Sequence, residues 1–251
     1  MNVHVLTFLL LTIFIKPLFS QQNRVDSLSK YDNIWTGSVS LNGLFQSGNT
    51  NKITILGKGE FKRVDGILET DFSTSYFYGI KNGVKDNNTL TSVIRADFLY
   101  DQIISYYFLQ SIEYDYSKGI DLRFQTGAGV KWIFMPKSKN KTSASLALIV
   151  DNTDLVKDPR NYNDRSLRFS FRLKTNQELF EKHLNINAVG YYQPDVENFA
   201  NNNQRLELTL SVPVVSGFSV NSYYLYTFDN TVSVGRKRAD NLLTFGLKYA
   251  F

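Results

Sequence analysis

The sequence predicts an all-β protein, a 12-stranded antiparallel transmembrane β-barrel with both termini periplasmic. Three observations carry that prediction. Stretches of strict apolar/polar alternation recur along the chain, nearly all about ten residues or longer, which is the length of a tilted membrane-spanning strand. Strands of soluble sandwiches are nearer five or six residues. Within each stretch one face is apolar and almost free of charge, while the other carries Lys, Arg, Asp and Glu. Finally, many of the 19 Phe and 15 Tyr gather near the ends of those stretches, where the two membrane interfaces favour amphipathic rings.

The predicted strands are 34–46, 51–62, 67–80, 89–100, 103–116, 120–134, 141–151, 164–174, 182–193, 203–213, 217–228 and 239–251. The eighth shows the logic. Leu167, Phe169, Phe171 and Leu173 form one face, and Ser166, Arg168, Ser170, Arg172 and Lys174 form the other. An Arg facing lipid at mid-bilayer costs about 2–4 kcal/mol, so the basic face points inward. The tenth sets Leu206, Leu208, Leu210 and Val212 against Arg205, Glu207, Thr209 and Ser211; the sixth sets Leu122, Phe124 and Trp132 against Arg123, Gln125 and Lys131. Phe77, Tyr223 and Leu225 fall inward as filling for the lumen, and Gln110 falls outward.

Connections give a second test. With both termini periplasmic, odd-numbered connections face outside and are the longer set. The longest, 152–163, 194–202 and 229–238, are all odd-numbered. Asp65-Gly66 and Val214-Val215-Ser216 read as short periplasmic turns, and 176–181 as a long inner connection. A type I′ turn at Asp65-Gly66 sets Lys62 directly opposite Glu69 and predicts an ion pair there.

Residues 1–20 read as a cleaved signal peptide: Val5 to Ile15 is apolar and too short to span a bilayer, which takes about 20 residues. Residues 21–33 follow as a periplasmic segment, and 34–251 as the barrel. The chain has no Cys, which excludes a disulfide staple, a thiolate metal site and a lipid-anchored N-terminus. Net charge is +5. Export removes the chain from nucleic acid and places it in the bacterial outer membrane, with lipids and lipopolysaccharide as its surroundings.

The last strand alternates to its end, with Leu243, Phe245, Leu247, Tyr249 and Phe251 on one face. It resembles the C-terminal strand of bacterial outer-membrane barrels, which commonly finishes on Phe. The resemblance implies that Phe245, Leu247, Tyr249 and Phe251 address the barrel assembly machinery. At the other end, Trp35-Thr36-Gly37-Ser38-Val39-Ser40-Leu41 followed by Ser47-Gly48-Asn49-Thr50 resembles the opening of the YdiY-like family, domain of unknown function 481, described as salt-induced outer-membrane proteins. That family has no established activity, so the resemblance implies location and fold. Gly48 and Asn49 also suit a hairpin turn, since both tolerate positive φ.

The inward charges are the main functional material: Lys52, Lys58, Glu60, Lys62, Glu69, Asp71, Arg95, Asp97, Glu113, Asp115, Arg123, Lys131, Arg168, Arg172, Lys174, Arg205, Glu207 and Lys248. Acids on the third and fifth strands and bases on the eighth predict a transverse field across a water-filled lumen and some charge selectivity. Two readings stand. The lumen is a narrow passive channel for ions or small solutes, or the charges neutralise one another in a non-conducting barrel that serves envelope integrity, a salt-stress response or surface interactions. Side chains fill eight-stranded barrels, and 16–18 strands leave an aqueous channel; twelve lies between.

No enzyme, cofactor or metal is expected. Only His4 and His183 are present, the first within the signal peptide and the second in a turn with no Ser nucleophile beside it. Asp151, Asn152, Asp154, Asp158 and Asp164 offer hard oxygen ligands, but Lys157 and Arg160 interrupt them and no calcium-loop spacing appears, so they read as solvated loop. Arg236-Lys237-Arg238, in the last outer loop, is a candidate contact for lipopolysaccharide or a polyanionic solute.

Overall fold

The computed structural model describes residues 34–134, 140–156, 163–181 and 183–251. The predicted signal peptide and segment 21–33 lie outside them. The strands are β1 Ile34–Gln46, β2 Lys52–Asp65, β3 Leu68–Lys81, β4 Val84–Phe98, β5 Ile104–Asp115, β6 Ile120–Phe134, β7 Lys141–Leu155, β8 Asn163–Leu179, β9 Leu184–Pro194, β10 Asn202–Val215, β11 Phe218–Asp229 and β12 Ala239–Ala250. Each pairs antiparallel with the next, and β1 pairs with β12, so the sheet closes as a barrel. β1 starts and β12 finishes at the same end, here called the turn end; the opposite end is the loop end.

The burial pattern is the reverse of a soluble protein's. On β8 Ser166, Arg168 and Ser170 are buried, whereas Leu167, Phe171 and Leu173 are exposed. The same inversion holds on β1, β2, β7, β10 and β12, where Val39, Leu41, Ile53, Ile55, Leu146, Leu148, Leu206, Phe245 and Leu247 all face out. An apolar band running round a whole barrel far exceeds the patches of a few hundred Å² that soluble monomers carry. It is a lipid-facing surface. Exposed rings border it: Trp35, Tyr106, Trp132, Phe218 and Phe251 at the turn end, Phe45, Tyr76 and Tyr192 toward the loop end.

The β1–β12 seam is the shorter of β1's two pairings. It runs from Ser38↔Ala250 to Gly43↔Phe245, while β1 pairs with β2 along its full length from Ile34 to Gln46. Two glycines let it close. Gly37 N donates to Phe251 O at 2.8 Å and Phe251 N to Gly37 O at 2.9 Å. The Phe251 ring lies over Gly37, where a Cβ would come within 2.7 Å of its Cζ, and it contacts Phe61 at 6.2 Å between centroids. On the inner face a Cβ at Gly246 would strike the Leu41 carbonyl oxygen and lie 2.6 Å from Asn42 Cα.

Several connections differ from expectation. Val215 pairs with Phe218, so the β10–β11 turn is Ser216-Gly217 rather than Val214-Val215-Ser216. Asp65 pairs with Leu68, so the β2–β3 turn is Gly66-Ile67 and Lys62 sits opposite Asp71 rather than Glu69. The turn is displaced by one residue because positive φ falls on Gly66 at its first position. β4 begins at Val84, not near 89: Asn82 and Gly83 take φ of 49° and 79°, the two positive values of a tight primed hairpin. β8 continues to Leu179, which turns the long inner connection at 176–181 into a short turn beyond it. β7 continues to Leu155.

The seam generates a prediction. Gly246→Val forces a side chain into the Leu41 and Asn42 backbone and should destabilise the folded barrel by at least about 1–3 kcal/mol. Urea unfolding in lipid vesicles, followed by Trp fluorescence, measures it; an unchanged midpoint would contradict the close approach.

Candidate functional site

Closing twelve strands brings their inward side chains into one confined space, and the charges there sort into clusters. The densest is at the loop end. Arg123 on β6 donates through Nη1 to Asp229 at 2.6 Å and Glu113 at 3.2 Å, and through Nε to Thr153 Oγ1 at 2.9 Å. Arg168 on β8, fully buried, donates through Nε to Asp151 at 3.0 Å and through Nη1 to the carbonyls of Gln193 and Asn201, both at 3.3 Å. Asp151 lies 3.7 Å from Arg123 Nε as well, so it joins the two guanidiniums. Asp151 and Asp229 are each only 2% exposed; at that burial a carboxylate requires a paired cation.

The β11–β12 loop, residues 230–238, is drawn into this cluster. β6 and β11 lie nearly opposite in the ring, so the Arg123–Asp229 pair spans the lumen. Thr231 follows, with its carbonyl accepting from Arg123 at 3.4 Å and its hydroxyl from Arg168 at 3.3 Å. Ser233 N donates to Lys118 O at 3.0 Å, and Ser233 Oγ donates to Gly119 O at 2.8 Å. The loop therefore crosses the mouth and docks on the far wall, with Thr231 and Ser233 buried beneath it. Arg236 stacks over Tyr116 at 5.5 Å, and Lys237 and Arg238 are exposed.

Below that plug lies a cavity of about 940 Å³ that reaches Thr36 and Glu178 near the turn end. One wall carries Glu207, which accepts from Arg205 at 2.7 Å, Tyr223 at 2.8 Å and Lys58 at 3.1 Å. Tyr107, Leu109, Ala147 and Ile149 make a small buried apolar cluster on another. Lys62 reaches Glu69 at 2.9 Å and Asp71 at 3.7 Å. The predicted ion pair therefore forms diagonally, despite the shifted register. Lys131 reaches Asp97 at 3.0 Å. Glu69, Asp71 and Asp97 converge within 4.8 Å, and these two lysines supply the counter-charge. Asp115 accepts from Ser117 Oγ and the Lys118 amide. Glu60 accepts from Ser38 at 3.5 Å, and Lys248 lines the cavity near the β12 end.

The expected wall-to-wall separation of charge is thus changed. The acids of β3 and β5 are neutralised largely by cations on neighbouring strands. Across from them Arg172 donates through Nε to the Tyr191 hydroxyl at 3.0 Å. Among the described residues Arg172, Lys174 and Arg95 have no carboxylate within ion-pair distance, though all three line the cavity.

Other sequence expectations are redistributed. Asp151 is no solvated loop residue: β7 runs on past it, so Asp151 points inward and Asp154 falls on the exposed side. Asp158 lies outside the described residues, as does the side chain of Asp164. Lys52 pairs with Asp86 at 2.9 Å. In the Ser47–Thr50 turn Gly48 alone has positive φ, at 135°, and its amide donates to Asn51 Oδ1 at 3.3 Å. His183 is exposed at the turn end with Nδ1 2.6 Å from the Phe180 carbonyl oxygen. Thr231 and Ser233 were not legible as site residues, since a polar loop has no periodicity to betray where it folds.

Residues 39–251 match the family described as a protein of unknown function, DUF481. The chain belongs to this family. The matched span takes in the Ser47–Thr50 turn and the whole of β12, and begins just after Ser38. No curated protein matches the DUF481 chain in sequence. In structure it is similar to the NanC porin, with TM-score 0.53 and 10% identity over 84% of this chain and 98% of that one. Weaker likenesses are to the KdgM porin, with TM-score 0.43 and 10% identity over 87% and 99% of the two chains, and to the translocator domain of the autotransporter NalP from Neisseria meningitidis, with TM-score 0.42 and 11% identity over 96% and 97%. At such identity the NanC likeness is one of fold, the closed membrane-type barrel.

Removing one member of the loop-end cluster leaves a buried charge without its partner. Arg168→Ala should cost about 3–5 kcal/mol, more than Arg63→Ala on the exposed surface. Denaturant midpoints of the two variants test this; equal shifts would show that Asp151 does not depend on Arg168.

Proposed function

We propose that this DUF481 protein is an outer-membrane barrel that passes ions or small solutes passively through a charge-lined lumen. The observation that carries the reading is the cavity of about 940 Å³. A barrel serving only as a membrane anchor has no need of an interior that polar side chains line without filling. The lipid-facing band and the two aromatic borders support the membrane setting, and the long loops at one end support an outward orientation for that end. Lys58, Glu60, Lys62, Asp71, Arg95, Glu113, Arg123, Arg172, Arg205, Glu207 and Lys248, all on the cavity wall, are the residues we assign to selectivity. The chemistry needed is electrostatic rather than catalytic, and His183 at the turn end has no role in it. Exposed Lys237 and Arg238 face the side where lipopolysaccharide lies, and β12 with Phe251 is the element we assign to recognition by the assembly machinery.

One observation favours a second reading. The docked 230–238 loop narrows the outer mouth, as expected of a non-conducting barrel that serves envelope integrity or surface contacts. Planar-bilayer recording separates the two. The channel reading predicts discrete conductance steps, and steps at least about twofold larger when residues 231–237 are replaced by a short Gly-Ser turn, because the constriction is then widened. A folded barrel that stays silent with and without the loop would refute the channel reading.

A further inference from the structure

Of the cavity-lining cations without a carboxylate partner among the described residues, Lys118 at the loop end and Lys248 near the end of β12 lie apart, and the other three gather at one place. Arg172 on β8, paired beside Tyr191 of β9 in the sheet, and Arg95 on β4, nearly across the ring from β9, both face the Tyr191 hydroxyl. Lys174, one inward position from Arg172, has both guanidiniums among its neighbouring charges; its acidic neighbour, Asp71, is held by Lys62. Arg95 stacks over the Tyr107 ring at 5.4 Å, and its Nε is buried with no hydrogen-bond partner. Elsewhere in the lumen Arg123, Arg168 and Arg205 each hold a carboxylate within 3.0 Å. Here three cations converge with no carboxylate within ion-pair distance, and Asp97, an acidic neighbour of Arg95, is held by Lys131.

The hydroxyl between them is the second observation. Tyr191 Oη accepts from Arg172 at 3.0 Å, so its own proton is left to donate, and no acceptor for it exists among the described residues. Guanidinium forks present paired N–H donors matched to planar or tetrahedral oxygens. A group that accepts from both arginines, the lysine and the phenol must be an anion with several oxygens. Confinement by a low-dielectric wall strengthens the attraction relative to bulk water.

We propose that Arg95, Arg172, Lys174 and Tyr191 bind a small oxyanion of at least two negative charges, phosphate-like in chemistry, inside the lumen. The proposal rests on the reading of the lumen as accessible from the turn end, and it names the class of solute that reading leaves open. The site lies on the turn-end side of the Arg123 and Arg168 cluster, so an anion reaches it without passing the plug.

Inorganic phosphate is the probe. With the full chain refolded in uncharged detergent, isothermal titration should show saturable binding of one phosphate per barrel. Arg95→Gln/Arg172→Gln should weaken it on the order of tenfold or more, the loss expected for charge-assisted hydrogen bonds. Tyr191→Phe should weaken it less, Arg172→Lys should retain part of it, and Arg63→Ala on the exposed outer surface should leave it unchanged. Absence of saturable binding to the unaltered protein would overturn the proposal. So would affinity that the folded double-Gln variant keeps; should that variant not fold, Tyr191→Phe and Arg172→Lys decide. Bilayer recording distinguishes the two ideas: phosphate binding by a sealed barrel refutes the channel and leaves the site, while conductance with neither anion preference nor phosphate binding refutes the site and leaves the channel.

Discussion

Backbone hydrogen bonding that returns from β12 to β1 is the constraint on which the molecule depends. A bilayer offers no partner to a free N–H or carbonyl, and each one left open there costs several kcal/mol. An open twelve-stranded sheet would expose two such edges; the closed ring exposes none. The price is steric. The seam needs a residue without a side chain at 246, where the β1 backbone passes close by, and another at 37, where the Phe251 ring takes the space instead. The cross-strand placement of an aromatic over a glycine restores the side-chain contact that the glycine forgoes.

Closure also decides the electrostatics. Once the sheet is a ring, residues far apart in sequence share a lumen walled off by lipid. Charges there are worth more to one another than on a surface, and cost more when alone. The protein pairs most of them locally, as with Lys62 and the β3 acids or Lys131 and Asp97. At the loop end it pairs them across the ring, through Arg123 and Asp229. That chord fixes where the 230–238 loop enters, because Asp229 is the last residue of β11. The loop's own Thr231 and Ser233 then satisfy polar groups on the opposite wall. Buried ion pairs of this kind are weak sources of stability; here they set position.

All twelve strands were legible because each has to solve the same problem, apolar outward and polar inward, over a length the bilayer dictates. Which residues point inward followed from that alternation alone. Pairings were less legible. Lys62 met Glu69 as expected, but diagonally, because the turn used Gly66-Ile67 and displaced the register by one residue. The Asn82-Gly83 hairpin was hidden by the run of polar residues after it, which masks period two, although the dipeptide itself is a strong turn signal. Asp151 looked like part of a loop since Asn152, Thr153 and Asp154 are all polar; a strand rising out of the membrane no longer needs an apolar face, and alternation loses its trace there. Nothing in a polar loop announces that it folds inward, so the plug was visible only in three dimensions, and with it the contrast between paired and unpaired arginines.

The lumen's shape depends most directly on the loop that crosses the mouth, and the chain's lack of cysteine opens that loop to a clean test. In the structure Ser233 N donates to Lys118 O at 3.0 Å, a backbone contact close enough for a test by disulfide, which bridges Cα atoms roughly 4.4–6.8 Å apart. Lys118→Cys/Ser233→Cys, refolded into lipid vesicles and exposed to a mild oxidant, should cross-link within each chain nearly to completion and revert on reduction. Failure of the folded protein to cross-link would mean that the loop stands away from the far wall and that the lumen is not plugged.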